Sequence, residues 1–344
     1  MSKYSRHCLS SFVLLIALAI SYSNSIAVPP INSIPIPQDT LVVLLVRPAV
    51  LANDPQMKTM ASNFDVIFQN IKTIGLSSDN VDEAVLFTPF NMGLLYGAGS
   101  GFPRSLTAGS GLILKGKFNA DSKIRDLKSK GWKESQFDKK RVLFWTTGET
   151  YLYSPDGSEC LATLTGDRIV IGGSQVVVKD MINAANGKIA SLDNDPFYKR
   201  ISDQFAGSSA MGISLFSIVT DRMRDMIKPP STPADTTGLG SKAAAAAIAS
   251  LRSYSSHVKE LGLSISASGA GYQLGGLFSF DNESSAMLVT SLLQFSGGLI
   301  SFLPPNDPAR AVITGLQVSR DGAVLNLQSP LTRQQFIDMF VRRR

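Results

Sequence analysis

The sequence predicts an α+β protein, because segments with the two-residue period of strands alternate with segments of helical period along residues 39–344. Gly-containing turns separate neighbouring strands, which favours mainly antiparallel sheets. The order of elements also recurs, once in residues 39–206 and again in residues 207–344. Each half follows a β-α-β-β-α-β plan with an extra strand and helix, so the predicted fold is a tandem pair of ferredoxin-like halves.

The first 27 residues have the parts of a cleavable secretory signal. A basic stretch and a short apolar core, residues 12–20, precede small residues at Ser25 and Ala27. The apolar core is far shorter than the roughly 20 residues that a membrane-spanning helix needs. We therefore expect cleavage after Ala27 and export to the periplasm or the extracellular medium. The proline-rich residues 28–38 predict an extended leader before the first strand.

Composition limits the classes of function. Of the 344 residues, 44% are hydrophobic and 17% charged, which suits a globular chain with a core of its own. The net charge of +6 is a mild basic excess without a stripe of interleaved aromatics, so we expect no nucleic-acid partner. Once Cys8 leaves with the signal, Cys160 has no cysteine to pair with. We expect Cys160 to be a small buried strand residue rather than a reactive thiol.

The first half opens with an unbroken apolar run. Residues 40–46 predict a strand that is covered on both faces. A helix is expected from Asp54-Pro55 to Ile74, with Gly75 ending it. The other expected elements of this half are strands near residues 84–88, 111–118, 141–146, 160–164 and 168–171, and helices over residues 120–130 and from Ser174 to Gly187.

The second half repeats this order around a linker. Residues 229–240, rich in Pro, Thr and Gly, predict a mobile connection to an Ala-rich helix capped at Ser241. The uncharged residues 286–303 are interrupted by polar side chains and Gly297-Gly298, which favours a buried amphipathic helix over a membrane span. The other expected elements are strands over residues 210–216, 258–268 and 272–280, a helix from Glu283, a hairpin of residues 312–318 and 323–327, and a last helix capped by Thr332.

Several segments occur together in a recognisable order. A Pro-rich leader precedes the strand from Asp39-Thr40, a KGKF strand and helix (residues 115–118), a DRIVIGG hairpin (residues 167–173) and a closing GLQVSRDGAVLNL hairpin (residues 315–327). In this arrangement the chain resembles a group of uncharacterised exported bacterial proteins built from tandem ferredoxin-like halves. The resemblance implies the fold and the compartment, and it implies no activity, ligand or functional residue.

Motifs for catalysis, metals and cofactors are weak. The mature chain has one histidine, His257, which begins a strand, and Glu260 would project from the opposite strand face. Since no G-x-S-x-G elbow is present, a histidine triad is not expected. One Cys and one His cannot supply the usual zinc ligands. Asp193-Asn194-Asp195-Pro196 predicts a helix start rather than a calcium loop, and Gly97–Gly101 predicts a connection rather than a phosphate cradle. We therefore assign no catalytic residue, metal site or cofactor.

One long connection has an unusual apolar content, and it is the candidate contact for a partner or ligand. The alternative is that its side chains fold back onto one end of the sheet. The candidate contact residues are Phe90, Met92, Leu94, Leu95, Tyr96 and Phe102.

These observations favour an exported, non-enzymatic protein that binds or scaffolds in the cell envelope or outside the cell. Its partner would be an unknown protein or an apolar ligand, and no transmembrane helix is expected after signal cleavage. A carboxylate-only hydrolase such as a glycosidase is one alternative. A carrier of an apolar ligand between the two sheets is the other.

Overall fold

The computed structural model describes residues 36–38, 40, 42–58, 64–88, 109–135, 151–153, 160–165, 167–218, 257–269, 271–294 and 309–340. The signal, the linker over residues 229–240, the strand predicted over residues 141–146 and the Ala-rich helix lie outside these ranges. The chain divides into a first unit, Pro29–Ala206, and a second unit that contains Gly207–Arg344.

The first unit is an antiparallel sheet with helices packed on it. Its strand order is β1-β2-β3-β7-β6-β5-β4, and every neighbouring pair is antiparallel. All five residues of β1 are buried, as the unbroken apolar run predicts. The strands are β1 (Val42–Val46), β2 (Val81–Thr88), β3 (Gly111–Gly116), β4 (Lys133–Ser135), β5 (Tyr151–Tyr153), β6 (Cys160–Thr165) and β7 (Arg168–Gly172). The helices are α1 (Pro48–Asn53), α2 (Asp65–Thr73), α3 (Ala120–Ser129), α4 (Gln175–Ala185) and α5 (Pro196–Gly207).

Helix boundaries in the first unit follow local sequence signals. Gly75 adopts φ +70° after α2, and the amide of Leu76 donates to the carbonyl of Ile71, which satisfies an orphan carbonyl at the helix end. The predicted helix over residues 54–74 is not continuous, because Phe64 has φ −114° and ψ 30°. A separate short helix, α1, precedes this segment and begins at Pro48, whose fixed φ suits a first helical turn. The predicted start at Asp54 is confirmed, since its Oδ1 accepts from the amides of Gln56 and Met57.

The leader ends inside the fold. Pro37 forms an isolated antiparallel bridge with Ser191, and the amide of Leu192 donates to the carbonyl of Ile36 at 2.9 Å. The Ile36 side chain is fully buried. The end of the predicted leader therefore contributes to the core beside the start of α5.

The second unit is an antiparallel sheet of order β11-β12-β10-β9-β8. Helix α6 packs on β10, β11 and β12, and α8 packs on β10 and β12, where the rings of Tyr272 and Phe336 stack 4.0 Å apart. The strands are β8 (Met211–Ile218), β9 (Val258–Ser268), β10 (Gly271–Phe280), β11 (Gln317–Asp321) and β12 (Val324–Thr332). The helices are α6 (Glu283–Gln294), α7 (Ala309–Thr314) and α8 (Arg333–Phe340).

Two predictions about the second unit have different outcomes. Thr332 caps α8 as predicted, and its hydroxyl accepts from the amide of Gln335 at 3.2 Å. The strand predicted from Val312 is wrong at its start, because Val312 and Ile313 are buried in helix α7 and β11 begins only at Gln317. A short apolar run fits both the period of a strand and that of a helix, and here a helix buries the side chains of Val312 and Ile313.

The α+β class and the antiparallel pairing are present in both units, whereas the ferredoxin-like halves are not confirmed. Strands β1 and β2 are joined through helices and pair directly as antiparallel neighbours. A ferredoxin-like half would instead contain a split βαβ unit, whose two strands run parallel with another strand between them.

Candidate functional site

Four charged side chains lie side by side across the sheet of the first unit, and we call Arg47, Glu83, Lys115 and Arg168 the charged row. Glu83 is directly opposite Lys115, and Lys115 is directly opposite Arg168. Arg47 follows β1, and the β1–β2 register continues to bring it opposite Glu83. Residues directly opposite each other in a sheet project from the same face, so the four side chains share one face.

Arg47 joins the sheet to the C-terminal end of α5. Its Nη2 donates to the carbonyl oxygens of Phe205 at 2.8 Å and Ala206 at 3.3 Å, and the guanidinium lies 5.0 Å from the centre of the Phe205 ring. A cation is favourable here, because the last carbonyls of a helix lack partners and carry its negative dipole end. Arg47 also pairs with Glu83 across 3.7 Å from Nη2 to Oε1.

Glu83 is a buried carboxylate with incomplete hydrogen bonding. Burial raises its pKa above the ordinary value, while the positive charges of Lys115 and Arg47 oppose that shift. Burial likewise lowers the pKa of Arg47. Glu83 Oε2 and Arg47 Nε are buried and find no hydrogen-bond partner among the described residues. The pair therefore keeps α5 in place at the cost of desolvating two charges.

A carboxylate just before α5, Asp193, interacts electrostatically with Arg168 at the other end of the charged row. Asp195 caps this helix, since its Oδ1 accepts from the amide of Tyr198 at 2.7 Å, which confirms the predicted helix start. Burial raises the pKa of the nearby Asp193 to about 6, and Arg168 is among the cations that counter this rise. A helix of 12 residues spans about 18 Å, and three strand spacings span about 14 Å, so α5 has the length to cross the row.

Lys115 and Arg168 occupy the middle and the far end of the row. Both side chains are half-buried on neighbouring strands. Within the described part of the chain, neither has a hydrogen bond or an ion pair within 4.0 Å. Two like charges directly opposite each other in a sheet destabilise it, so this juxtaposition is costly unless a negative charge joins it.

Sequence reasoning missed the charged row. Its signal is charge at one end of each otherwise apolar strand: Arg47 after β1, Glu83 beside Asp82 early in β2, Lys115 late in β3 and Arg168 at the start of β7. The charged position comes late in one strand and early in the next, as expected when antiparallel neighbours bring their charged residues to the same end of the sheet. The pairing of β3 with β7, which are far apart in sequence, was the missing information.

In the second unit, the predicted strand-end histidine has a carboxylate partner. His257 Nδ1 lies 2.7 Å from Asp281 Oδ2, and Asp281 Oδ1 accepts from the side chain of Asn282 at 2.6 Å. Both His257 and Asp281 are more than one-third exposed. Sequence distance concealed this contact, which joins the start of β9 to the end of β10. An exposed pair of this kind contributes little stability.

Helix α6 is apolar on two sides. Its buried side faces the sheet and includes Ala286, Val289 and Leu293. The opposite side, which we call the outer face, consists of Ser284, Met287, Leu288 and Ser291 and carries no charge. Met287 is 50% exposed and Leu288 is 40% exposed. Large apolar side chains side by side on a surface are typical of contact sites.

The remaining predicted site residues have limited outcomes. The candidate contact over Phe90–Phe102 lies outside the described residues, as does the glycine-rich stretch within it. Cys160 is opposite Gly172 in the β6–β7 register, and its burial stays a prediction. The described ranges contain no group of three or more His, Cys, Asp or Glu side chains that could hold a metal ion. No described helix combines the length and apolarity needed to cross a bilayer.

Comparisons with known proteins give a distant structural similarity only. No family model matches the chain, and no curated protein matches its sequence. Solved structures of the Treponema protein TP0453 are similar in crystal forms IV, III and I, with TM-scores of 0.44, 0.41 and 0.37 and 12% identity. Each match covers 91% of this chain and 96% or 97% of TP0453. At these values the similarity identifies neither a family nor an activity.

Proposed function

We propose that the protein is an exported, non-enzymatic binding and scaffolding protein that associates with a second copy of itself through the outer face of α6. The observation that supports this proposal is the arrangement of that face. Two exposed apolar side chains, Met287 and Leu288, lie between two exposed serines, Ser284 and Ser291. The export part of the proposal rests on the signal features of residues 1–27.

The outer face has the symmetry that a two-fold dimer needs. The order Ser-Met-Leu-Ser has the same spacing read from either end, with its centre between Met287 and Leu288. In an antiparallel pair of α6 helices, Ser284 of each copy would face Ser291 of the other, and Met287 would face Leu288. The small serines permit close approach of the helices, and the absence of charge avoids repulsion between identical surfaces.

The proposal is tested by sedimentation velocity of the mature protein over a concentration series. Replacing Met287 and Leu288 by Ser removes four half-exposed apolar side chains per dimer, at about 1 kcal/mol each. A total of about 4 kcal/mol raises the dimer Kd by roughly 1,000-fold. We therefore expect a concentration-dependent dimer that is lost in the double variant, with the melting temperature of the isolated chain unchanged.

Val176→Ser is the matched control, because Val176 is 66% exposed on α4. It removes an exposed apolar side chain elsewhere and should leave the dimer intact. A wild-type chain that stays monomeric up to about 1 mM would refute self-association. Equal dimerisation of the double variant and the control would show that another surface is responsible.

The Phe90–Phe102 connection is proposed as a second contact, on the strength of its apolar composition. Replacing Leu94, Leu95 and Tyr96 together by Ser tests it. We expect stability to hold and the dimer or a cross-linked partner to be lost. A fall in stability of several kcal/mol with unchanged association would show that these side chains fold back onto the sheet, since each buried one contributes roughly 1.5–3 kcal/mol.

A carboxylate-only hydrolase is a second candidate, favoured by two carboxyl groups of the first unit. Burial raises the pKa of both Glu83 and Asp193, and both interact electrostatically with Arg168. A carboxyl group with a pKa of about 6 can donate a proton near neutral pH. This candidate predicts hydrolysis of aryl glycosides that is lost in both Glu83→Gln and Asp193→Asn. Absence of hydrolysis by the wild-type protein, or activity that survives both substitutions, would reject it.

A further inference from the structure

We propose that Lys115 and Arg168 bind a small free oxyanion, a phosphate or a carboxylate, on the face of the first sheet that carries the charged row. This inference concerns a different unit from the α6 contact and does not depend on self-association. It begins from the sheet register, which puts the two cations directly opposite each other on β3 and β7. Their side chains share one face, and neither is fully exposed.

Glu83 and Asp193 make no ion pair within 4.0 Å with these two cations, although Glu83 lies directly opposite Lys115 and interacts with it electrostatically. Glu83 makes its ion pair with Arg47, on the far side from Arg168. Asp193 lies close enough for Arg168 to influence its pKa, yet the two form no ion pair within 4.0 Å. Burial also disfavours the charged form of both carboxylates, which weakens the compensation that they can offer.

The two cations offer complementary chemistry to an oxyanion. The guanidinium of Arg168 is a planar fork that matches two oxygens of a phosphate or carboxylate, and the ammonium of Lys115 is a point charge with rotatable donors. An oxyanion between them would replace a repulsive cross-strand pair with two charge-assisted contacts. Partial burial makes those contacts stronger than they would be in open water. Since both side chains are half-buried on the sheet face, the site suits a small group rather than a polymer.

The test is a titration of the mature protein with inorganic phosphate, and separately with acetate, followed by melting temperature and by calorimetry. Sodium chloride of equal ionic strength is the control for charge screening. We expect phosphate or acetate to raise the melting temperature beyond the chloride control, as a ligand of the native state must. A response to phosphate alone would assign the site to phosphate, and a response to acetate would extend it to carboxylates.

Variants separate this site from general surface charge. Lys115→Gln and Arg168→Gln should each raise the Kd by about 10-fold or more, and the double variant should lose the response. Without ligand, each single variant should stay folded and melt close to the wild type, because it removes a like-charge pair and also an attraction to Glu83 or Asp193. Lys188→Gln, which removes an exposed cation of the same unit, should keep the wild-type Kd. Arg168→Lys keeps the charge without the fork and should bind with intermediate affinity.

Three results would overturn the proposal. The first is no response of the wild-type protein to phosphate or acetate beyond the chloride control. The second is an equal fall in affinity for Lys188→Gln and for the two site variants. The third is a wild-type Kd in Arg168→Gln, a result that needs only the folded variant and the same titration.

Discussion

Removing the guanidinium of Arg47 tests whether the charged row stabilises the first unit. In Arg47→Met, Glu83 loses its 3.7 Å ion pair, and the carbonyls of Phe205 and Ala206 lose their donor. Both side chains of the pair are largely buried, at 16% and 10% exposure, so the remaining carboxylate stays desolvated. Breaking a buried pair in this way costs about 3–5 kcal/mol. We expect a loss of about 4 kcal/mol in the free energy of unfolding, measured by urea denaturation.

A double-mutant cycle with Glu83→Gln isolates the contribution of the pair. The neutral amide no longer needs a cation, so Arg47→Met should cost about 1–3 kcal/mol less in the Glu83→Gln background. Lys117→Met is the control, because the Lys117 side chain is 80% exposed and its Nζ lies 4.0 Å from Asp82 Oδ1. An exposed pair of this kind should contribute less than about 1 kcal/mol.

The pH dependence of the same variant gives a separate check. Burial raises the pKa of Glu83 in the folded state above its unfolded value, so the folded protein holds this proton more tightly. Lowering the pH through that raised pKa neutralises Glu83, and the cost of Arg47→Met should shrink. The stabilising role of the Arg47–Glu83 pair would be refuted if Arg47→Met cost less than about 1 kcal/mol at neutral pH. It would also be refuted if the effects of Arg47→Met and Glu83→Gln were additive at every pH.

Three further predictions concern other parts of the chain. For Asp193, the folded-state pKa of about 6 lies above the ordinary value of 3.8, so stability is lost as the pH rises from about 4 to above 6. Asp193→Asn should therefore melt higher than the wild type at pH 8 and equally at pH 3. Because Asp193 is partly exposed, the gain in stability at pH 8 should be about 1 kcal/mol. N-terminal sequencing of the exported form should begin at Val28, and a form that keeps Met1 and stays with membranes would contradict cleavage. Cys160→Ser should cost about 1 kcal/mol, and a melting temperature lower by more than about 10 °C would indicate a further role.

Local signals determined much of the secondary structure. The apolar run of β1 and the caps Ser174 and Thr332 specify their elements within a few residues of sequence, and Gly75 does the same for the end of α2. These signals succeed because a cap or a turn is satisfied by neighbouring backbone groups. Where periodicity was ambiguous, as at Val312, the choice between helix and strand depended on which packing buried the side chain.

Strand pairing and the sites depended on the tertiary structure. The like-charge pair of Lys115 and Arg168 exists only because β3 lies beside β7, and the Arg47–Glu83 pair requires β1 beside β2. His257 likewise meets Asp281 only when β9 pairs with β10. In each case residues far apart in sequence are joined by register, and the hydrophobic pattern of one strand does not specify which strand becomes its neighbour. The sequence alone therefore determined the class of elements and the candidate signal for export, whereas packing of the sheets decided which charges face one another.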